Sequence, residues 1–429
     1  MAALNRVLIE LKSARPERQV RPEFAQGFET LDLEPTPKQV ILDEEEERRR
    51  SHPWYTAELE QELASLSHLE RLDREIQAYA TFCALTDVER DARKRLLETV
   101  KEIIHSILPR VEVELFGSYS TGVATYCSDL DISVLCTDKK VLKDVPIYMR
   151  RIGELLKRTV SKRFVDVRSN ARVPVIRAVH DVTGLEFDIS FTSHNGSKHR
   201  ERLSTFFREH RRAKVLLVII KSLLRKRNLH LPFTGGMGSF VLCNLIMLYT
   251  YERHNIFPYP LCTSDDSDPQ DVFLESNTYV IKYAGRQQSQ SKPRRPVYAI
   301  MLLEFLELYG LIFNSEALTL CVREMNCSMV SSRERSVLYQ GATHTESAPL
   351  SIVDFADVTN DAASGTFQFR NIRLTFQVLY YYLLQAPKPI EADPPMPSPI
   401  LPLVVDKCGL LYVRKGCAVW MKESNAENK

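Results

Sequence analysis

Asp129 and Asp131 are separated by a single leucine in the segment SDLDISVL, and Asp188 lies in the middle of LEFDISF. Both segments alternate polar and apolar residues with the period of a strand, so acids go to one face and aliphatic side chains to the other. Asp129 and Asp131 then project the same way, a like-charge arrangement that is costly unless a cation sits between them. Hard oxygen donors of this kind suit magnesium or manganese. Upstream, Gly117 lets the backbone approach a ligand, and Ser118 adds a hydroxyl and an N–H suited to a phosphate oxygen. Lys221 and Arg225 are four residues apart in the helical run Lys214 to Arg227, share a face and could both reach a polyphosphate. Each feature alone has a plainer reading, as an ordinary turn, a solvated edge strand, or a buried helix whose cations snorkel to water. Jointly they point to two-metal phosphoryl transfer. No Walker A loop, kinase glycine-rich loop, HExxH or GxSxG is present.

The chain of 429 residues is long enough for two to three domains, and 44% hydrophobic with 26% charged residues is an ordinary globular composition. A net charge of +2 leaves nucleic-acid attraction to local patches. The best such patch is Lys198 to Arg227, where Arg208, Arg211 and Arg212 form a candidate RNA-backbone footprint. The 9 cysteines are never spaced CxxC, which argues against a zinc site or disulfide framework; Cys127 and Cys136 read as packing residues. The longest apolar run, Val215 to Ile220, is too short for a membrane span. The arginine-spaced N-terminus resembles a mitochondrial presequence or a docking arm.

The expected fold class is α+β, with five segments. Residues 1–52 form an N-terminal extension, in which the acid–arginine pairs of Asp43 to Arg50 suit a solvated helix. Residues 53–109 hold helices assigned to a central helical domain: one from Thr56 with Leu59, Leu63, Leu66 and Leu69 on a stripe, the next from Thr86 to Leu108. Residues 110–197 form a mixed-sheet domain, with strands at Val111 to Leu115, Leu130 to Leu135, Phe164 to Val167, Val173 to Val179 and Leu185 to Phe191, and a helix from Val145 to Lys162. Residues 198–385 form the helical domain, with a turn at Thr234 to Ser239, a polar surface insertion over 259–296, an amphipathic helix from Tyr298 to Phe313 and an aromatic-rich one from Arg370 to Leu384. Residues 386–429 are expected to lie outside the catalytic body as a proline-rich tail, with Leu410 to Met421 adding a strand.

From Pro53-Trp54 through LFGSYSTGVATYCSDLDISV, VPVIRAV, EFDISFTSHNG, FTGGMGSF and LLEFLELYGLIFN to LSIVDFADVTNDAASG, the chain resembles the DNA polymerase β-like nucleotidyltransferase superfamily. Within it the likeness is greatest to the TRAMP-type noncanonical poly(A) polymerases, whose relatives include terminal uridylyltransferases. The resemblance implies a palm domain inserted into a helical central domain, with the nucleotide in the cleft between them. It implies that Asp129 and Asp131 bind both metal ions, Mg2+ or Mn2+, and that Asp188 acts on the RNA 3′-hydroxyl. Ser118 and Lys221 would hold the triphosphate, with Arg225 at a position that is basic in some relatives. Asn195 would contact the ribose, and Ser239 and Phe240 would meet the base. Ile352 to Ser364 matches the nucleotide-recognition segment: Asp354 is its aspartate, Val353 replaces a usual glutamate, and Ala363-Ser364 replace a usual Gly-Arg. Asn360-Asp361 stand where TRAMP-type enzymes carry Asn-Asp and uridylyl-transferring relatives of the fission-yeast type carry a histidine. The implied activity is AMP transfer from ATP to RNA 3′ ends, with UMP transfer from UTP as the alternative. Implied partners are a zinc-knuckle RNA-binding protein and a helicase, and the implied location is the nucleus, with the mitochondrion as the alternative.

Overall fold

The alternating segments become strands of one sheet. The computed structural model describes residues 52–136, 138–171, 173–192, 196–257, 296–323, 326–331, 349–354, 356–357, 360–385, 399–409 and 411–427. These fall in a compact unit spanning Ser51–Lys429. The N-terminal extension with its Asp43 to Arg50 helix, Asn195 and the insertion through residue 295 lie outside the described residues.

The described elements, in chain order, are α1 (Ala57–Leu63), α2 (His68–Cys83), α3 (Asp87–Ile107), β1 (Glu112–Leu115), a short α4 (Gly117–Ser120), β2 (Leu130–Leu135), α5 (Lys139–Thr159), β3 (Val165–Arg168), β4 (Val175–Val179), β5 (Glu186–Thr192), α6 (Ser197–Glu209) and α7 (Arg211–Arg225). They continue with α8 (Ser239–Ile256), α9 (Val297–Glu307), β6 (Leu318–Arg323), β7 (Asn326–Ser331), β8 (Ile352–Val353), α10 (Phe369–Leu384) and α11 (Leu411–Glu427). The leucine stripe from Leu59 to Leu69 does face the core, but the helix breaks after Leu63. Ser67 and Glu70 form a capping box that starts α2 afresh. Thr86 and Glu89 start α3 in the same way, with the Thr86 N–H donating to Glu89 Oε2 at 2.8 Å.

The palm sheet has the order β1-β2-β5-β4-β3, with β2 and β5 parallel and the other pairs antiparallel. Helices α3 and α5 cover one face: Leu96, Val100, Met149 and Ile152 pack on Leu130, Ile132 and Ile189, all fully buried. Helix α3 therefore belongs to the palm core, whereas α1 and α2 pack in the central helical core; the segment 53–109 divides between the two. Helix α5 starts at Lys139, ahead of the expected Val145, and carries Pro146 within it.

The central core joins α1, α2, α7, α8, α9 and α10. Helix α9 is not amphipathic: Ala299 through Leu306 are all buried. One buried charge cluster ties it to α8. Arg253 donates Nε to Glu304 Oε2 and Nη2 to Oε1, each at 2.8 Å, and the Tyr249 hydroxyl donates to Oε2 at 2.8 Å. Glu304→Ala removes the carboxylate opposite a buried guanidinium and is expected to destabilise the fold by about 3–5 kcal/mol, measured by urea denaturation. A small sheet of order β7-β6-β8, absent from the sequence reading, sits beside this core.

The C-terminal segment corrects the expectation of a detached tail. Ile400, Leu401 and Val405 are buried in the central core, and the N–H groups of Ile400 and Leu401 donate to Glu75 Oε2 at 3.1 and 2.6 Å. Burial pushes the Glu75 carboxyl up to about 7, against the pull of those N–H groups and Arg71. Leu411–Glu427 is a helix rather than a strand, because Val413 and Cys417, four apart, insert into the palm core. Among the described residues no helix is long and apolar enough to cross a membrane.

Candidate active site

Because Leu130, Ile132 and Val134 face the palm core, Asp131 points to the opposite side of β2. The parallel register pairs Asp131 with Asp188, and the β4–β5 register sets Arg177 opposite Asp188. Arg177 Nε lies 3.4 Å from Asp188 Oδ1. Asp129 precedes the strand and is exposed. Burial, then Asp129 and Asp188, push the Asp131 carboxyl up to about 7, while Lys221 and the Ser118 N–H draw it down. Asp188 is raised as well, chiefly by burial, against Arg177.

Gly117 sits at φ +63°, where a Cβ would lie 1.8 Å from Asp131 Oδ2. The expected glycine–serine turn is thus a short helical turn pressed against the acid. The Ser118 backbone N–H donates to Asp131.

Lys221 on α7 is within electrostatic reach of Asp131. Arg225, one turn on, instead donates from Nη1 to Cys127 Sγ at 3.2 Å and so anchors the loop before β2. Cys127 is accordingly a hydrogen-bonding residue as well as a packing one, whereas Cys136 is buried as expected.

Within Ile352 to Ser364 the described residues pair antiparallel, with Val353 bridging to Asp361. Asp354 Oδ1 is 2.7 Å from His199 Nε2 and accepts from the Ala356 N–H at 2.9 Å, while Oδ2 accepts from Asn360 Nδ2 at 3.0 Å. Burial alone would raise this carboxyl, yet His199, Ala356 and Asn360 together hold it below its ordinary value. The His199 ring meets the Phe240 ring edge-on at 5.1 Å. Phe240, His199, Asp354 and Asn360 therefore form one connected wall, with Ser239 exposed at the start of α8. Asp361 does a different job: its Oδ1 accepts from the Ile352 and Ala363 N–H groups at 3.0 and 2.9 Å, and the residue is buried. It closes the paired segment.

Arg208 and Arg211 are exposed near the start of α7, and Arg211 is about 15 Å from Lys221 along that helix at 1.5 Å per residue. Arg212 is half-buried and lies within electrostatic reach of Asp73, whose Oδ1 accepts from the Tyr298 and Ala299 N–H groups. His199 and Arg177 were missed in the sequence. His199 looked like one more member of a basic stretch, and Arg177 gains meaning only from cross-strand register.

Residues 72–208 match the family described as "Poly(A) RNA polymerase, mitochondrial-like, central palm domain". The chain is 24% identical over 308 residues to Poly(A) RNA polymerase protein 2 of Saccharomyces cerevisiae, covering 70% of this chain and 46% of that one. It is 24% identical over 331 residues to Poly(A) RNA polymerase cid14 of Schizosaccharomyces pombe, covering 76% and 42%. The chain thus spans less than half the length of these curated relatives. Its fold is similar to the polymerase core of TRAMP, an RNA surveillance complex, at a TM-score of 0.59 and 22% identity over 79% of this chain and 95% of that one. It is also similar to the Cid1 poly(U) polymerase, at 0.55 and 20% over 75% and 97%.

Proposed function

We propose that the chain is a DNA polymerase β-like nucleotidyltransferase and that it adds AMP from ATP to RNA 3′ ends without a template, a reading supported by the palm-domain match over residues 72–208 and by its poly(A) polymerase relatives. The observation that carries the reading is the pairing of Asp131 and Asp188 on adjacent parallel strands, with Lys221 on α7 within electrostatic reach of Asp131.

A divalent cation fits this donor set. Among the described residues no three acidic, histidine or cysteine side chains close into a ready-made cage. Burial first, and then the neighbouring Asp129 and Asp188, raise the Asp131 carboxyl, and a hard cation among these oxygens would offset both. Asp129 and Asp131 would hold magnesium or manganese, with Asp188 completing the set. When bound, such ions activate the attacking hydroxyl and neutralise triphosphate charge.

The chain's own residues supply the rest. Asp188 receives or orients the proton of the RNA 3′-hydroxyl, and Arg177 favours its ionised state. Lys221 pairs with triphosphate oxygens. Phe240 offers a ring face to the base, and the wall from His199 to Asn360 offers fixed donors and acceptors to its edge. The Asn360–Asp354 contact, at the position where some uridylyl-transferring relatives carry histidine, favours ATP over UTP. Arg208 and Arg211 are assigned to the RNA backbone, with Arg212 shared with Asp73. We propose RNA processing in the nucleus, with the mitochondrion as the alternative, and a zinc-knuckle protein and a helicase as partners.

The test is extension of an RNA oligonucleotide with magnesium and each nucleoside triphosphate separately. ATP is expected to be incorporated well above the other three. UTP well above ATP establishes the uridylyl reading instead; equal use of all four, or no extension, overturns the proposal.

A further inference from the structure

We propose that Arg414, on the C-terminal helix α11, is a positioning residue for the loop that leads into Asp129 and Asp131. This rests on the assignment of those aspartates to nucleotidyl transfer.

The loop is held from several directions before it reaches β2. Thr125 forms an antiparallel bridge with Ala84, and the Tyr126 N–H donates to the Cys83 carbonyl at 3.0 Å. Arg93, fully buried on α3, donates from Nη2 to the carbonyls of Tyr126 and Ser128 at 3.0 and 3.1 Å. One guanidinium nitrogen thereby fixes two points of backbone at once.

Arg414 closes this assembly from outside the palm sheet. Its guanidinium lies 4.4 Å from the centre of the Tyr126 ring and 5.1 Å from that of Phe82, and these two rings meet edge-on. It donates from Nη2 to the carbonyls of Phe82 and Ala84, and Nη1 is 3.2 Å from the Glu89 carboxylate. Planar stacking and several directed donors are what a guanidinium supplies and an ammonium does not. Arg414 thus pins Tyr126, three residues before Asp129, to the turn between α2 and α3.

The segment leading into α11 is held on the other side by α7. The Asp406 N–H donates to Ser222 Oγ at 2.9 Å, Arg227 Nη1 to the Val404 carbonyl at 3.0 Å, and Lys226 Nζ to the Pro402 carbonyl at 3.3 Å. Those side chains adjoin Lys221 and Arg225. Residues 400–409 and 411–427 therefore connect the helix that carries Lys221 to the loop that carries Asp129, and Arg414 is the contact at the loop end.

The experiment compares the full-length parent with Arg414→Ala and Arg414→Lys, measuring kcat and KM for ATP in RNA extension, hydrogen exchange over 120–130, and the melting temperature. Arg414→Ala is expected to lower kcat by about tenfold or more, the scale of a misplaced reacting group. KM for ATP should change much less than kcat, because Phe240, Asp354 and Lys221 lie on other elements, and exchange should rise over 123–129. Arg414→Lys should recover part of the loss. If the alanine variant does not fold, Tyr126→Leu removes the stacked ring from the loop side and should give the same kcat-specific loss. Parental kcat with parental exchange in folded Arg414→Ala overturns the proposal, as does a lowered melting temperature with kcat intact. A parent that extends RNA with no nucleotide defeats the polymerase reading instead, while the exchange measurement still reports whether Arg414 holds the loop.

Discussion

Asp131→Asn should reduce nucleotide addition by about 10³-fold, the scale of losing a preorganised charge aimed at a transition state, while RNA binding stays intact. The substitution keeps the shape of the side chain, removes its charge and turns one acceptor oxygen into a donor, so the melting temperature of the variant is measured beside its activity to separate a folding defect from a catalytic one. A second readout follows from the raised carboxyl. A group whose folded pKa exceeds its unfolded value contributes stability that is fully present below the unfolded pKa and lost as pH rises through the folded one. For Asp131 that window runs from 3.8 to about 7. In chelator, the parent is therefore expected to lose melting temperature between pH 4 and pH 8, and Asp131→Asn to lose less. Magnesium should restore the parent at pH 8, where Asp131 is ionised, and do little for the variant; proton and cation compete for the same oxygens. A variant with parental activity, or parental melting curves insensitive to magnesium at pH 8, would remove Asp131 from the site.

Gly117→Ala should be nearly as damaging. The positive φ costs about 1 kcal/mol for a residue with a Cβ. The larger effect is local: the new methyl would meet Asp131 Oδ2 at 1.8 Å and Cγ at 2.6 Å. The easiest atoms to move are those of the carboxylate itself, so relief of the clash displaces the reacting group. Activity is expected to fall by about 10²-fold with a modest loss of stability, since a shift near 1 Å in a catalytic group has that effect. Ser118→Ala is the control. Its contact with Asp131 runs through the backbone N–H, which alanine keeps, so any loss in that variant measures the hydroxyl alone. Parental kcat for Gly117→Ala would mean that Asp131 tolerates relocation.

Much of the palm was legible because its signal is local. The alternation in LDISVL and EFDISFT sorts acids from aliphatic residues by the two-residue period of a strand. Burial follows that sorting throughout EFDISFT, whereas in LDISVL it holds for Leu130 to Ile132 and Ser133 is buried as well. Helix α3 was equally clear, since Thr86 and Glu89 supply its start. The C-terminal helix was misread because Leu410 to Met421 carries too little periodicity to choose a structure; Val413 and Cys417 become a helical face only when the palm core receives them. The β6–β7–β8 sheet was missed for a related reason, as β8 is two residues long and exists by pairing with β6.

The same division runs through the site. By itself the sequence singled out the groups whose chemistry is proposed: Asp129, Asp131, Asp188 and Lys221, with Gly117 read as admitting a ligand to the backbone; that Gly117 instead leaves room for Asp131 came from the fold. Residue type and strand period are properties of neighbouring residues, and they survive without knowledge of the fold. What only the tertiary structure decided is which charge answers which. Arg177 falls to Asp188 by register, Arg225 to Cys127, His199 to Asp354, and Asp361 to the closing of its own paired segment. These partners are mostly far apart along the chain. An electrostatic or hydrogen-bonded contact acts over a few ångströms of space, whatever the separation in sequence, and so cannot be read until the chain is folded.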